Sequence, residues 1–173
     1  MRGSRVIMSA RSAILFLFVV SIAAPAWAET AHSLGKTGDW ESFTYSDKAG
    51  KVCYATARPQ RSQHAPKGRS ATYISVTHRP AEKSIGIINV TGGYVYKKDE
   101  PAVITIDGHK FELYTSADTA WSRNDKAVLQ AMSKGKSLQI SGTPAKGEPS
   151  LDLYSLEGFG AAYAAIGKAC AVK

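Results

Sequence analysis

AVITIDGHKFELYT, residues 102–115, decides the fold class. Asp107-Gly108 sits between two runs that alternate apolar and polar residues, and Asp-Gly is the pair favoured by a type I′ hairpin turn, where both central residues need positive φ. A two-residue loop there sets Ile106 opposite His109, Ile104 opposite Phe111 and Ala102 opposite Leu113. All of these but His109 are apolar and share one face, while Thr105 with Lys110 and Val103 with Glu112 occupy the other. Turn chemistry and hydrophobic pattern agree on one register.

Shorter runs on either side repeat the theme. Residues 40–45 and 52–57, separated by Asp47 and Gly50, read as a hairpin carrying Trp40 and Cys53. Residues 73–78 alternate Ile74 and Val76 against Ser75 and Thr77 and stop at Arg79-Pro80. Residues 85–90 are apolar nearly throughout, with Gly86 inside, and read as a strand buried on both faces. Further on, Asp118 and Trp121 fall in a loop. Asn124 or Asp125 caps a short helix through Val128, Leu129 and Met132, ended by Lys134 and Gly135. Residues 136–143 point Leu138 and Ile140 inward, and Leu151 with Leu153 mark a last strand. In DLYSLEGFGAAYAAIGKAC, residues 152–170, Phe159, Ala162, Tyr163, Ile166 and Cys170 line one side of a helix that starts near Ser155. About eight short strands with no long helices between them predict a mainly β fold. The expected architecture is an antiparallel β-sandwich or partly open barrel with a short helix and a C-terminal helix.

The chain opens with Arg2, Arg5 and Arg11, an apolar run over 13–24, and Ala26-Trp27-Ala28. Basic start, short apolar middle and small residues at alternate positions are the parts of a secretory signal peptide, so cleavage is expected after Ala28. The run is shorter than the ~20 apolar residues of a membrane span. The expected organisation is a signal peptide over 1–28, a flexible polar leader over 29–37 and one domain over 38–173. Removing the three leader arginines takes the net charge from +8 to +5. That balance suits an anionic surface and falls short of a nucleic-acid-binding signature. In an oxidising compartment Cys53 and Cys170 can pair, the alternative being two buried free thiols.

Chemistry is harder to find. There is no G-x-S-x-G nucleophile elbow, and Gly135-Lys136-Ser137 lacks the upstream glycine of a phosphate loop. His32, His64, His78 and His109 share no metal-ligand spacing, so no metal or cofactor is expected. Two binding sites are proposed from the residues. Arg58, Arg61, Lys67 and Arg69, in a loop over 58–70 without apolar period, offer a cationic surface for an anionic partner. Trp121, beside Asp118, offers a stacking face, whereas Trp40 reads as core. The competing reading is a hydrolase of an envelope polymer or saccharide that uses Asp118, His78 and Trp121.

Gly38-Asp39-Trp40 after the signal peptide, Cys53 in the next strand, Thr77-His78-Arg79-Pro80, ITIDGHKFELYTSADTAW over 104–121, Ala131-Met132 with Gly135, and YSLEGFGAAYAAIGKAC over 154–170 together resemble the invasion-associated locus B family of exported proteins from Gram-negative bacteria. The resemblance spans nearly all of the mature chain. It implies a β-sandwich-like domain in the periplasm or at the outer membrane, a link to host-cell invasion in some members, and no established catalytic residues. Many relatives carry a cysteine soon after Gly-Asp-Trp that pairs within the first hairpin. Residues 41–52 here contain none, so Cys53–Cys170 is the intrachain bridge that the resemblance leaves. The resulting expectation is a non-enzymatic, envelope-associated binding module. Its partner would be a protein or an anionic component of the envelope or host surface, with peripheral membrane association and no nucleic acid.

Overall fold

The Asp107-Gly108 hairpin forms in the expected register, with Ile106 opposite His109, Ile104 opposite Phe111 and Ala102 opposite Leu113. Both turn residues have positive φ, 47° and 83°. The structure is a computed structural model and describes residues 30–172. The expected signal peptide and its cleavage after Ala28 lie outside the described residues.

Along the chain come β1 (His32–Thr37), β2 (Trp40–Asp47), β3 (Gly50–Ala57), β4 (Arg61–Gln63), β5 (Tyr73–Arg79), a 3-10 turn (Pro80–Glu82), β6 (Ser84–Thr91), β7 (Ala102–Ile106), β8 (His109–Ser116), β9 (Thr119–Ser122), α1 (Asp125–Met132), β10 (Ser137–Gly142), β11 (Ser150–Ser155) and α2 (Phe159–Ala169). All eleven strands join one sheet in the order β1-β2-β3-β5-β6-β9-β8-β7-β10-β11-β4. Every pairing is antiparallel. Of the two architectures expected, this is the open, curled sheet rather than two separate ones.

The sheet folds over its own apolar face. Ile74, Val76, Ile88 and Val90 from one half share a single buried cluster with Ile104, Leu113, Leu138, Ile140 and Tyr154 from the other. Near the seam, the Asp39 amide donates to the Glu157 carbonyl and the Trp40 indole N–H to the Ser155 carbonyl. The Gln60 amide similarly reaches the Leu153 carbonyl. Three strands go beyond those expected. The stretch read as a flexible leader supplies β1, whose backbone pairs with β2 although every side chain is exposed. The loop over 58–70 contributes β4 at the far edge, and the loop holding Trp121 contributes β9.

The helices plug the inner face. In α2, Phe159, Ala162 and Ile166 are buried, Phe159 packs 4.8 Å from the Trp40 ring, and Cys170 caps the C-terminus. The helix starts later than Ser155 because Gly158, at φ +86°, turns the chain beside the Thr37 carbonyl, where a Cβ has no room. Cys170 is bonded to Cys53, with Cα atoms 6.0 Å apart. In α1, the Asn124 side chain accepts from the Ala127 amide as N-cap, while the Asp125 carboxylate accepts from the Ile88 amide and ties the helix to β6.

β6 is not buried on both faces. Gly86, Ile88 and Val90 face the core, while Ile85 is exposed and Ile87 and Asn89 are half-buried. Gly86 adopts φ +71° next to a register shift in the β5–β6 pairing, and a side chain there would collide with Leu129 of α1.

Candidate functional site

Strand alternation gives β2, β3, β5, β6 and β9 a second face, pointing away from the core, and on it lies a trough of about 1010 Å³. Its residues fall into rows that cross the strands. One row runs Lys36, Glu41, Thr56, Ser75, Asn89 and Trp121, each paired with the next across adjacent strands. The neighbouring row runs Phe43, Tyr54, Thr77 and Ile87. Polar groups of one row thus lie beside aromatic and apolar groups of the other, a consequence of the two-residue period of each strand.

The floor is aromatic and half-buried. Phe43 stacks on Tyr54 at 5.2 Å, and Tyr45 meets Tyr54 edge-on at 6.2 Å. Burial raises the Tyr54 hydroxyl's pKa, and the neighbouring Tyr45 and Tyr73 add to the shift, so it stays a neutral donor. Some polar tips are already engaged: Thr56 donates to the Ile74 carbonyl, and the Tyr45 hydroxyl accepts from Arg79. Tyr54, Tyr73, Asn89 and Trp121 make no side-chain hydrogen bond among the described residues, and all four line the trough. The charged groups stand at its ends. Lys36 pairs with Glu41, and Arg79 with Asp47 and Glu82.

The residues singled out from the sequence separate here. Trp121 lies in the trough, on β9 rather than in a loop. Asp118 is exposed at the β8–β9 turn and does not line it. His78 is 1% exposed on the core face of β5, so the three side chains proposed for a hydrolase share no cavity. Arg58 borders the trough, and Arg61 and Lys67 are exposed. Arg69 is not a surface cation: its guanidinium is turned inward onto Asp152 in a bidentate pair of 2.8 and 2.6 Å, because the chain after β4 folds across β11. The aromatic row was missed because Phe43, Tyr45 and Tyr54 read simply as strand residues. Which of their faces is core depends on α2, and α2 covers the other side.

His78 itself makes a testable contact. Its Nδ1 accepts the Gly86 amide at 2.9 Å, its Nε2 is buried without a partner, and the Tyr163 ring stands edge-on at 5.2 Å. Burial lowers its pKa from the ordinary 6.5. The unfolded chain therefore takes up the proton first. The contribution of neutral His78 to stability is complete above pH 6.5 and is lost as pH falls below that value toward the lower folded pKa. Urea midpoints between pH 8 and pH 5 are expected to fall less for His78→Asn, which keeps an acceptor for Gly86 but cannot titrate. Identical pH slopes would remove His78 from this role.

Fold and face together define a single-sheet β domain, clasped by one disulfide, whose outer surface holds an aromatic-floored trough. The chain belongs to the invasion associated locus B (IalB) family, whose model matches residues 40–167. The crystal structure of invasion associated protein B from Bartonella henselae superposes with a TM-score of 0.57 at 19% identity, covering 81% of this chain and 99% of that one. At that identity the likeness concerns the fold. No curated protein matches the chain.

Proposed function

We propose that this protein is an exported, envelope-associated binding module that contacts a component of the envelope or of a host surface through the trough. The observation that carries the reading is a half-buried, aromatic-floored face on which Tyr54, Tyr73, Asn89 and Trp121 make no side-chain hydrogen bond among the described residues. Rigid aromatic surface with unspent donors is what binding sites concentrate, because it yields contact area at little cost in side-chain entropy. The export pattern over 1–28 supports the compartment, and the name of the Bartonella protein makes host-cell invasion one setting for such binding.

The test uses the full chain, expressed with its leader, purified and fluorescently labelled, and presented to envelope fragments and to host cells. Trp121→Ala and Tyr54→Thr are expected to weaken surface binding by about tenfold or more while leaving the melting temperature within a few degrees. Arg61→Glu with Lys67→Glu is expected to change it little. Unaltered binding by both trough variants would remove the trough from function, and recovery of the chain solely from the cytoplasm would remove the export.

A further inference from the structure

We propose that the trough takes an extended, uncharged glycan, a hexose or N-acetylhexosamine chain lying across the strands; this rests on the binding reading above and names its ligand. Three observations carry the choice. The first is charge. The trough is lined by three cations, Lys36, Arg58 and Arg79, and three carboxylates, Asp39, Glu41 and Glu82, which balance and all stand toward its borders. The excess positive charge of the chain therefore lies elsewhere, and an anionic polymer would gain nothing along the middle of the trough.

The second is repetition. Thr56, Ser75 and Asn89 follow one another on adjacent strands, with Trp121 next in line. Neighbouring strands are ~4.8 Å apart, so this row sets one polar side chain per strand at a step comparable with the advance of one sugar along an extended glycan. Asn89 has its amide unspent, while Thr56 and Ser75 donate to the Ile74 carbonyl and the Thr56 hydroxyl and keep only their hydroxyl oxygens to accept. From β1 to β9 the five steps amount to ~24 Å, room for several sugar units. The third is the pairing of chemistries. A sugar ring presents an apolar C–H face and an equatorial fringe of hydroxyls, and here a half-buried indole and the Phe43–Tyr54 stack lie beside the free amide of Asn89 and the free hydroxyl of Tyr73. A protein interface gathers its polar groups at the rim of a more apolar core, whereas here the polar row crosses the middle of the trough.

The experiment is affinity electrophoresis of the full chain in native gels containing hydroxyethyl cellulose, laminarin, dextran or glycol chitin, with heparin as the anionic comparison. At least one neutral polymer is expected to retard the protein, equally at low and high salt, since no ion pair is screened. Trp121→Ala is expected to weaken that retardation about 30-fold and Asn89→Ala about tenfold, both migrating normally in gels without polymer. Retardation by heparin alone, abolished by salt, would overturn the proposal in favour of an anionic ligand. If no neutral polymer retards the chain while surface binding still depends on Trp121 and Tyr54, the glycan is wrong, the partner is a protein and the binding reading stands. If surface binding is also insensitive to those substitutions, both fall together.

Discussion

Replacing both cysteines, Cys53→Ala with Cys170→Ala, is expected to lower the unfolding free energy by about 4–5 kcal/mol, the loop-entropy value for a bridge that closes a ring of roughly a hundred residues. The two are 117 residues apart in sequence, so the bridge restrains most of the described chain when it unfolds. Set against the ~5–15 kcal/mol total stability of ordinary domains, this loss decides whether the fold survives at physiological temperature. The native side adds to it. Cys170 ends α2, and the stripe of Phe159, Ala162 and Ile166 closes the inner face over Trp40. Without the bond, the last turn of α2 frays first. Guanidinium melts of the oxidised protein, the reduced protein and the double variant check this. The oxidised form is expected to show the higher midpoint and the smaller m-value, because its unfolded state is the more compact. Equal midpoints, or alkylation of both thiols without a reductant, would refute the clasp.

What could be read before any coordinates depended on how local the governing physics is. The β7–β8 register was legible because Asp107-Gly108 imposes a turn and the turn imposes the pairing within a dozen residues. The stripe of α2 was legible for the same reason. β1 was not, since HSLGKT is exposed throughout and a strand that buries nothing leaves no alternation to detect. β6 looked buried on both faces because Ile85 and Ile87 are apolar, yet one borders solvent and the other floors the trough. The trough collects side chains from strands that are adjacent only in space. Thr56 and Trp121 stand in one row through Ser75 and Asn89, and hydroxyl and amide residues on alternating strands read as an ordinary solvent face. Trp121 alone stood out, by its size.

Arg69 shows the same limit at a buried charge, and it carries the other large effect. Arg69→Met or Asp152→Asn alone is expected to destabilise the protein by about 3–5 kcal/mol, because each leaves or weakens a charge that has lost its solvent. The side chains of Arg69 and Asp152 are 8% and 3% exposed. Besides its two bonds to the carboxylate, Arg69 donates to the Gly92 carbonyl at 2.6 Å and to the Thr72 hydroxyl at 3.0 Å, and it lies 5.0 Å from the centre of the Tyr94 ring. Asp152 also accepts from Ser62 of β4 at 2.6 Å. Burial is the largest single influence and works against the Arg69 cation, but the bonds to Asp152 and the charge interactions with Asp152, Tyr94 and Tyr154 together outweigh it and its pKa is raised. The pair thus joins β4, the end of β6 and β11. The double variant Arg69→Met with Asp152→Leu, which removes both charges together, is expected to recover much of the loss, since a buried ion pair gains little over apolar side chains of similar volume. Urea denaturation of the parent, Arg69→Met, Asp152→Leu and the double variant, with the single Asp152→Leu replacing Asp152→Asn in this comparison, forms a double-mutant cycle. A coupling energy near zero would mean that the two groups are stabilised independently, and either single variant costing less than ~1 kcal/mol would show that water reaches the charge left behind. Because Arg69 and Asp152 lie outside the trough, glycan retardation by whatever fraction of each variant stays folded is expected to match that of the parent. Stability and binding then separate, with Arg69, which the sequence placed among the surface cations of the 58–70 loop, on the side of stability.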